Sequence, residues 1–419
     1  MRFRHLITAV LLLSGSGLLL FAQQQPLKLD ELVSEALKNN PEILAAQKRY
    51  EASRQRPTQE STLPEPMFSV GYQSVGTPRP IAGIGRDVMA NAGVMLSQEF
   101  PFPGKLKLRG SMAYKEAEAE FQQYESVQLS VVSRLKQAYY RLCYTYAAGD
   151  VLARNRDLMT KLLRVTEARY SVGKAAQQDV FKAQTQISII ETRLVKLEQE
   201  RSSREAEINS LLNRRAGAPL PRPEDVKFRT FTLSLNDLYA SVRENSPMLR
   251  RDQKMIERTE LAANMARKEY YPDYTLTAGY FNQGSMAPMY MVRADFKLPV
   301  YFWRKQRAGV AEQVSNVSQA RRDYEATDQR LRFRVKDDFL MAQASSKLVN
   351  LYSQTVVPQA SLALESSLST YETGVVDFLS VLTNFGTVLE YEMNYYEELA
   401  NYYMALSRLE EMTAQKLTD

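Results

Sequence analysis

Few side chains in this sequence have the types and spacing that metal or nucleophilic chemistry requires. Met286, Met289 and Met291 lie close together in GSMAPMYM, at the predicted turn between the third and fourth strands, and thioethers prefer soft ions such as Cu(I). With one histidine, His5, and one cysteine, Cys143, in 419 residues, these methionines are the weak candidates for a metal contact. Methionine also fills irregular apolar space or lines the end of a strand, and this second interpretation is the preferred one.

The scarcity of histidine and cysteine excludes several classes of enzyme. His5 lies in an N-terminal segment that we expect to be removed, so histidine-based zinc sites, Ser-His-Asp triads and Cys-His pairs are unavailable. Cys143, in the helical stretch YYRLCYTYA, has no partner for a disulfide within the chain and is expected to be a small apolar filler. Acidic residues are spread along helical faces without a distinct catalytic pair, and no phosphate-binding Gly-Lys-Ser/Thr loop is present. We therefore expect neither an enzyme nor a bound cofactor.

Charge and the N-terminus indicate an exported protein that does not bind nucleic acid. Lys and Arg number 54 against 48 Asp and Glu, a formal charge of +6, and no basic block suggests nucleic acid. The first residues, MRFRHLITAVLLLSGSGLLLFAQQQ, carry two arginines, an apolar run and the small residue Ala22. This pattern predicts a signal peptide over residues 1–22. The alternative is a membrane anchor, but Ser14-Gly15-Ser16-Gly17 interrupts the run.

The rest of the chain contains an internal sequence repeat. LKLDELVSEALKNNPEI (27–43) aligns with LSLNDLYASVRENSPML (233–249), and LPEPMFSVGY (63–72) with YPDYTLTAGY (271–280). EFPFPGKLKLRG (99–110) corresponds to KLPVYFWRKQRA (297–308), and YSVG (170–173) to YETG (371–374). Four landmarks in the same order predict a duplication, with a first repeat over residues 23–217, a proline-containing linker over 218–232 and a second repeat over 233–419.

Long helices dominate each repeat. From Lys105 to Arg169 is about 65 residues, or roughly 100 Å of helix at 1.5 Å per residue. Pro358 is expected to kink the corresponding helix of the second repeat. A three-four apolar spacing indicates helices that wrap around each other; it includes Ile187, Ile190, Leu194, Leu197, Ile208 and Leu211 in the first repeat and Leu379, Leu382, Leu389, Met393, Tyr396, Ala400 and Tyr403 in the second.

Each repeat also contains two short strands with one apolar and one polar face. In MVRADFKLPV, Val292, Ala294 and Phe296 alternate with Arg293, Asp295 and Lys297. Such alternation fits a half-buried sheet, and in an exported chain it also fits a barrel with a lipid-facing and a wet side. Four strands cannot close a barrel alone, and open edges are not tolerated in lipid, so closure would need several chains. The fold class is thus mainly α with a small β part.

With these features in place, the chain resembles the TolC family of outer-membrane efflux proteins from about Leu27 to about Leu409. The resemblance rests on the duplicated YSVG and YETG turns, the LKLDELVSEALKNNPEI opening and FPFPGK (100–105), which is similar to the heavy-metal-efflux branch. It implies a homotrimer in the outer membrane of a Gram-negative bacterium, with a large periplasmic part. Duplicated coiled-coil hairpins would form an α-barrel, and four strands per chain would form a twelve-stranded β-barrel in lipid. The implied partners are a periplasmic adaptor protein and an inner-membrane pump of the resistance-nodulation-division type.

The repeated Tyr-x-x-Gly stretches are the candidate site. A helix that reverses direction needs a residue that accepts a positive φ, which glycine does. The resemblance implies that these reversals form the periplasmic mouth, dock the adaptor and take part in gating; the alternative is a turn glycine with no partner. The candidate residues are Tyr170, Gly173, Asp179, Tyr371, Gly374 and Asp377. The chain departs from the family's gate pattern, because Val376 replaces the expected basic residue, and Ser380 and Thr383 the expected acidic ones.

Two functions from different classes follow. The first is a passive exit duct of a tripartite efflux or secretion system, which exports a metal cation or a small toxic organic compound. The second is a soluble periplasmic coiled-coil scaffold or adaptor. An adaptor ordinarily has one helical hairpin with compact β domains, whereas this chain has two hairpins and only paired strands, which favours the duct.

Overall fold

The structure is a computed structural model that describes residues 26–76, 78–87, 89–230 and 234–418. The predicted signal peptide, residues 1–22, and Leu233 of the repeat alignment lie outside the described residues. The first half contains α1 (Leu29–Asn39), α2 (Pro41–Ser53), α3 (Arg56–Ser61), β1 (Met67–Gln73), β2 (Asn91–Phe100), α4 (Lys105–Ser171) and α5 (Gln177–Leu211).

The second half follows nearly the same order. It contains α6 (Leu235–Asn245), α7 (Pro247–Lys268), β3 (Asp273–Asn282), β4 (Met289–Lys297), α8 (Lys305–Leu351), a π-helical turn (Tyr352–Val356), α9 (Val357–Thr373) and α10 (Phe378–Thr413). Mainly helical structure with a small sheet confirms the predicted fold class. The exact repeat and linker boundaries remain predictions.

A proline marks the same helix boundary in both halves. Pro41 and Pro247 each occupy the first turn of the second helix, a position where the missing N–H costs nothing. Asn40 caps α2 by accepting hydrogen bonds from the amides of Glu42 and Ile43 at 2.9 and 3.2 Å. Its own Nδ2 donates to the Leu211 carbonyl at 2.8 Å, so this boundary also fastens the N-terminal helices to the end of α5.

The long helices pack around two clusters of apolar side chains. The first cluster joins α4 to the short helices and to α8 and α10, through residues such as Leu135, Val242 and Leu406. The second runs toward the reversals and includes Ile190 of α5 and Phe385 of α10. Helix α4 spans 67 residues, or roughly 100 Å, as predicted.

Two details of the helical predictions are settled by the structure. The π-helical turn ends at Val356, two residues before Pro358, so the helix is irregular close to the position where proline removes a backbone donor. The assignment of Leu379 to the apolar seam was wrong, since its side chain is exposed while Phe378 and Val381 are buried. The cap at Asp377 starts α10 in a phase that turns these two neighbours inward.

The four strands form one antiparallel sheet in the order β1-β2-β3-β4. The central pairing, β2 with β3, joins the two halves side by side. One face carries exposed apolar side chains, among them Val70, Tyr290, Val292 and Phe296. The opposite face carries polar groups, including the Ser97 and Thr277 hydroxyls, 2.9 Å apart, and the Arg293–Asp295 ion pair at 2.9 Å. The alternation predicted from the sequence therefore reflects two chemically different faces.

The predicted location of the methionines was partly wrong. Met286 lies between the strands, but Met289 opens β4 and Met291 lies within it. They pair with Phe281 and Gly279 of β3, and alternation places them on the same face as Arg293 and Asp295. The strand begins earlier than expected because the ladder with β3 continues past the charged residues.

Among the described residues, no helix combines the length and apolar composition that membrane crossing requires.

Candidate functional site: the paired helix reversals

Both candidate glycines end a long helix with the same backbone geometry. Gly173 has φ of 72° and Gly374 has φ of 84°. The Gly173 and Lys174 amides donate to the carbonyls of Tyr170 and Arg169 at 3.0 and 2.8 Å. At the second reversal, Gly374 and Val375 donate to Tyr371 and Thr370, both at 3.0 Å. This pair of hydrogen bonds defines a Schellman motif, in which a residue in the left-handed conformation allows the last carbonyls of the helix to accept hydrogen bonds.

The tyrosine of the second reversal is part of the core. Tyr371 is 3% exposed, and its hydroxyl donates to Thr166 Oγ1 of α4 at 3.3 Å. Its ring meets the ring of Phe378 edge-on, with centroids 5.8 Å apart. The second reversal is thus packed against the end of the first hairpin.

Arg169, which sequence reasoning missed, links the two reversals. Its guanidinium carbon lies 4.7 Å from the centre of the Tyr371 ring. Nη1 donates to the carbonyls of Tyr371 and of Glu372, the latter at 2.9 Å. These carbonyls belong to the last turn of α9, where a cation is favoured by the helix dipole. We call this arrangement of Arg169, Thr166 and Tyr371 the arginine clasp.

The corresponding tyrosine of the first reversal has the opposite surroundings. Tyr170 is 46% exposed, and Val172 and Phe181 beside it are exposed as well. At the second reversal Val375 and Leu379 are exposed. Apolar side chains are therefore available on both reversals, although Tyr371 itself is not.

The two candidate aspartates occupy different positions. Asp377 is the N-cap of α10, and its Oδ1 accepts a hydrogen bond from the Ser380 amide at 3.1 Å. Hydrogen bonds from the Ser380 hydroxyl and amide lower the pKa of Asp377. Asp179 lies in the first turn of α5, 3.9 Å from the Nζ of Lys182, while the N-cap there, Ala176, provides no side-chain bond.

The positions where the chain departs from the family's gate pattern make local contacts. Ser380 bonds Asp377, and the Thr383 hydroxyl donates to the Leu379 carbonyl at 2.9 Å within α10. Val376 is half-buried against the core cluster that contains Tyr371. The interaction across the reversals comes instead from Arg169, on the opposite helix.

Metal and thiol chemistry find little support in the described part of the chain. No group of three or more His, Cys, Asp or Glu side chains there is arranged to hold a metal ion. Burial raises the pKa of the Cys143 thiol to about 12, so the thiol is protonated at neutral pH.

Comparison with known proteins identifies the family. The sequence profile described as outer membrane efflux protein matches residues 32–214 and 238–415. The chain is 18% identical over 392 residues to the cobalt-zinc-cadmium resistance protein CzcC of Cupriavidus metallidurans, across 92% of this chain and 89% of that protein.

Solved structures show the same fold. The outer membrane protein VceC from Vibrio cholerae superposes with a TM-score of 0.78 at 18% identity, over 93% of this chain and 97% of that one. The open-state outer membrane channel MtrE of Neisseria gonorrhoeae gives 0.73 at 18% identity, over 90% and 88%. The chain therefore belongs to the outer membrane efflux protein family and has the fold of its TolC-like channels.

Proposed function

We propose that this protein is the exit duct of a tripartite efflux system and works as a homotrimer in the outer membrane of a Gram-negative bacterium. The observation that carries the proposal is the four-stranded sheet, which has an apolar outer face and ends in β1 and β4 at its edges. Unpaired strand edges are not tolerated in lipid, so further copies of the sheet are needed to close a barrel. Helices of roughly 100 Å would then continue the duct through the periplasm.

The reversals are the proposed contact with a periplasmic adaptor. Tyr170, Val172 and Val375 are exposed at the ends of the hairpins, where an adaptor could bury them. The clasp keeps the second reversal against the first while leaving these side chains free. An inner-membrane pump, expected to be of the resistance-nodulation-division type, would supply the energy, since the sequence contains no phosphate-binding Gly-Lys-Ser/Thr loop.

The oligomeric state provides the first test. The protein in native membranes should cross-link to trimers, and detergent extracts should show a trimer that dissociates on heating. A duct also stays with the outer membrane after a high-salt wash. Monomers alone, or release by salt, would favour the periplasmic scaffold instead.

The cargo is proposed to be a metal cation or a small toxic organic compound. The similarity to a cobalt-zinc-cadmium resistance protein supports the metal, as does the resemblance of FPFPGK to the heavy-metal-efflux branch. Growth of a deletion strain, with and without the restored gene, should be compared on metal salts and on organic toxicants. Rescue in only one of these conditions would identify the cargo class.

A further inference from the structure

The two segments that join a strand to a long helix correspond to each other in the duplication. They differ in whether their aromatic side chains are packed or exposed. In the first joint, residues 100–105, the Phe102 ring stacks on Tyr271 with centroids 4.4 Å apart, and the Phe100 ring stacks on Tyr274 at 5.4 Å. Lys105 is 1% exposed, and its Nζ lies 2.9 Å from Asp273 Oδ1. The first joint is therefore closed by contacts with the second half of the chain.

The second joint, residues 297–305, presents its apolar side chains outward. Leu298, Val300, Tyr301 and Phe302 are exposed, and Trp303 is 56% exposed. The Trp303 ring meets those of Phe302 and Tyr301 edge-on, with centroids 5.1 and 6.2 Å apart. The backbone at this joint forms a hydrogen-bonded turn, in which the Arg304 and Lys305 amides donate to the Tyr301 carbonyl at 3.0 and 2.9 Å.

Positive charge adjoins this aromatic cluster. Arg304, Lys305 and Arg307 are exposed, and the sequence from Lys297 to Ala311 contains no acidic residue. Within the described residues of a single chain, no ion pair involves these three cations, whereas Lys105 of the first joint is paired with Asp273 and Glu269. The cluster also follows directly on β4, whose exposed Val292 and Phe296 belong to the apolar face of the sheet.

We propose that the second joint is an anchor for anionic phospholipid at the edge of the bilayer. Tyr and Trp concentrate at the membrane–water boundary, long cationic side chains reach from apolar surroundings to headgroups, and each exposed Lys or Arg attracts anionic lipid. The aromatic rings would lie at the level of the headgroups, with Arg304, Lys305 and Arg307 contacting lipid phosphates. This inference rests on the proposed function, because it takes the apolar face of the sheet to be the lipid-facing one.

Trp303 is the only tryptophan of the chain, so its fluorescence reports on this joint alone. The full protein is reconstituted into phosphatidylcholine vesicles with a minor fraction of phosphatidylglycerol. Bromine, a quencher, is placed on the acyl chains of one lipid or the other at equal mole fraction. We expect both preparations to quench Trp303, and brominated phosphatidylglycerol to quench it more strongly. Trp303→Phe should abolish the signal.

Charge variants test the headgroup contact. In the triple variant Arg304→Gln, Lys305→Gln and Arg307→Gln, the ratio of the two quenching efficiencies should fall to about one, while quenching by phosphatidylcholine persists. The matched control neutralises three exposed cations of the helical hairpin, Arg164, Arg193 and Lys196, and should leave the ratio unchanged. A wild-type ratio of one would overturn the proposal.

Channel conductance, measured on the same preparation, separates this inference from the proposed function. A protein that conducts but whose Trp303 escapes quenching by both lipids contradicts the anchor while the duct stands. Emission that shifts only when the trimer dissociates would then assign the cluster to contacts with a second copy of the chain. A protein that neither inserts nor conducts contradicts the duct itself.

Discussion

The reversals at Gly173 and Gly374 share one backbone pattern, yet their tyrosines have opposite surroundings. Tyr371 is buried beneath the Arg169 guanidinium, whereas nearly half of Tyr170 is exposed. The left-handed glycine recurs because the backbone of a reversing helix requires it in both copies. That requirement does not extend to the side chains, and Tyr371 belongs to the core while Tyr170 is exposed.

Two segments that look alike in sequence therefore differ in the contacts that position them. The second reversal is positioned by contacts within the chain, through Thr166, Arg169 and Phe378. At the first reversal, Tyr170 and Val172 are exposed instead. Substitutions at matched positions should therefore have unequal effects.

The largest difference is expected between Tyr371→Ala and Tyr170→Ala. Removing a buried aromatic side chain costs about 3–5 kcal/mol, while a surface substitution usually changes the free energy of unfolding by about 0.5 kcal/mol or less. Amide hydrogen exchange in α9 and the start of α10 should accelerate in Tyr371→Ala and stay unchanged in Tyr170→Ala. Equal protection in the two variants would contradict the asymmetry.

Valine substitutions at the glycines should separate backbone strain from side-chain displacement. Each introduces a β-branched residue at positive φ, at a cost of about 1–3 kcal/mol. At Gly374 an added Cβ would also lie 3.2 Å from Arg169 Nη2, whereas at Gly173 it meets nothing within 4 Å. We expect Gly374→Val to impair export and adaptor cross-linking more than Gly173→Val, with the trimer still inserted. If export and cross-linking are unchanged in both, the reversals are not the docking site.

The clasp itself is tested by Arg169→Lys. Lysine keeps the charge but loses the planar guanidinium, whose Nη1 donates to two carbonyls and whose face covers the Tyr371 ring. We expect a loss of about 1–2 kcal/mol in local stability, measured by hydrogen exchange at the Gly374 and Val375 amides. Arg164→Lys, on the exposed side of the same helix, is the matched control and should have no effect. A response to both variants would point to a general loosening of α4.

The sequence predicted those features that the local backbone dictates. A helix that reverses needs a left-handed residue, so Gly173 and Gly374 could be identified. Proline predicted the helix irregularity near Pro358, and the alternation of apolar and polar residues predicted the four strands. The pairing of β2 with β3 could not be predicted, because nothing in either strand specifies a partner so distant along the chain.

Arg169 escaped prediction for a related reason. Its partners are backbone carbonyls at Tyr371 and Glu372, and carbonyls carry no residue-type signal. The repeat alignment treated Tyr170 and Tyr371 as equivalent. Their burial differs because it depends on which residues surround each ring in three dimensions, and an alignment does not contain that information. The methionines were misplaced because the turn composition of GSMAP obscured the true start of β4.

The smallest expected effect concerns the helix starts that follow the two reversals. Asp377 caps α10, while the equivalent position of the first reversal, Ala176, has no capping side chain. Ala176→Asp should therefore stabilise the start of α5 by about 1 kcal/mol, as measured by hydrogen exchange in the first turn of that helix. Asp377→Ala should weaken the start of α10.

The pH dependence distinguishes a cap that works through its charge from one that works through hydrogen bonding alone. Because the Ser380 hydrogen bonds lower the pKa of Asp377 in the folded protein, its contribution is present above the unfolded-state pKa of about 3.9. It is lost as the pH falls through the lower folded value. The difference in hydrogen exchange at the start of α10 between wild type and Asp377→Ala should therefore shrink below about pH 4. The stabilisation of α5 by Ala176→Asp should show the same pH dependence.

Ala176→Asn, which can accept the same hydrogen bonds without ionising, should stabilise α5 equally at low and neutral pH. If Asn and Asp respond alike across this range, the carboxylate charge contributes nothing, and the reversals differ only in their hydrogen bonds and packing.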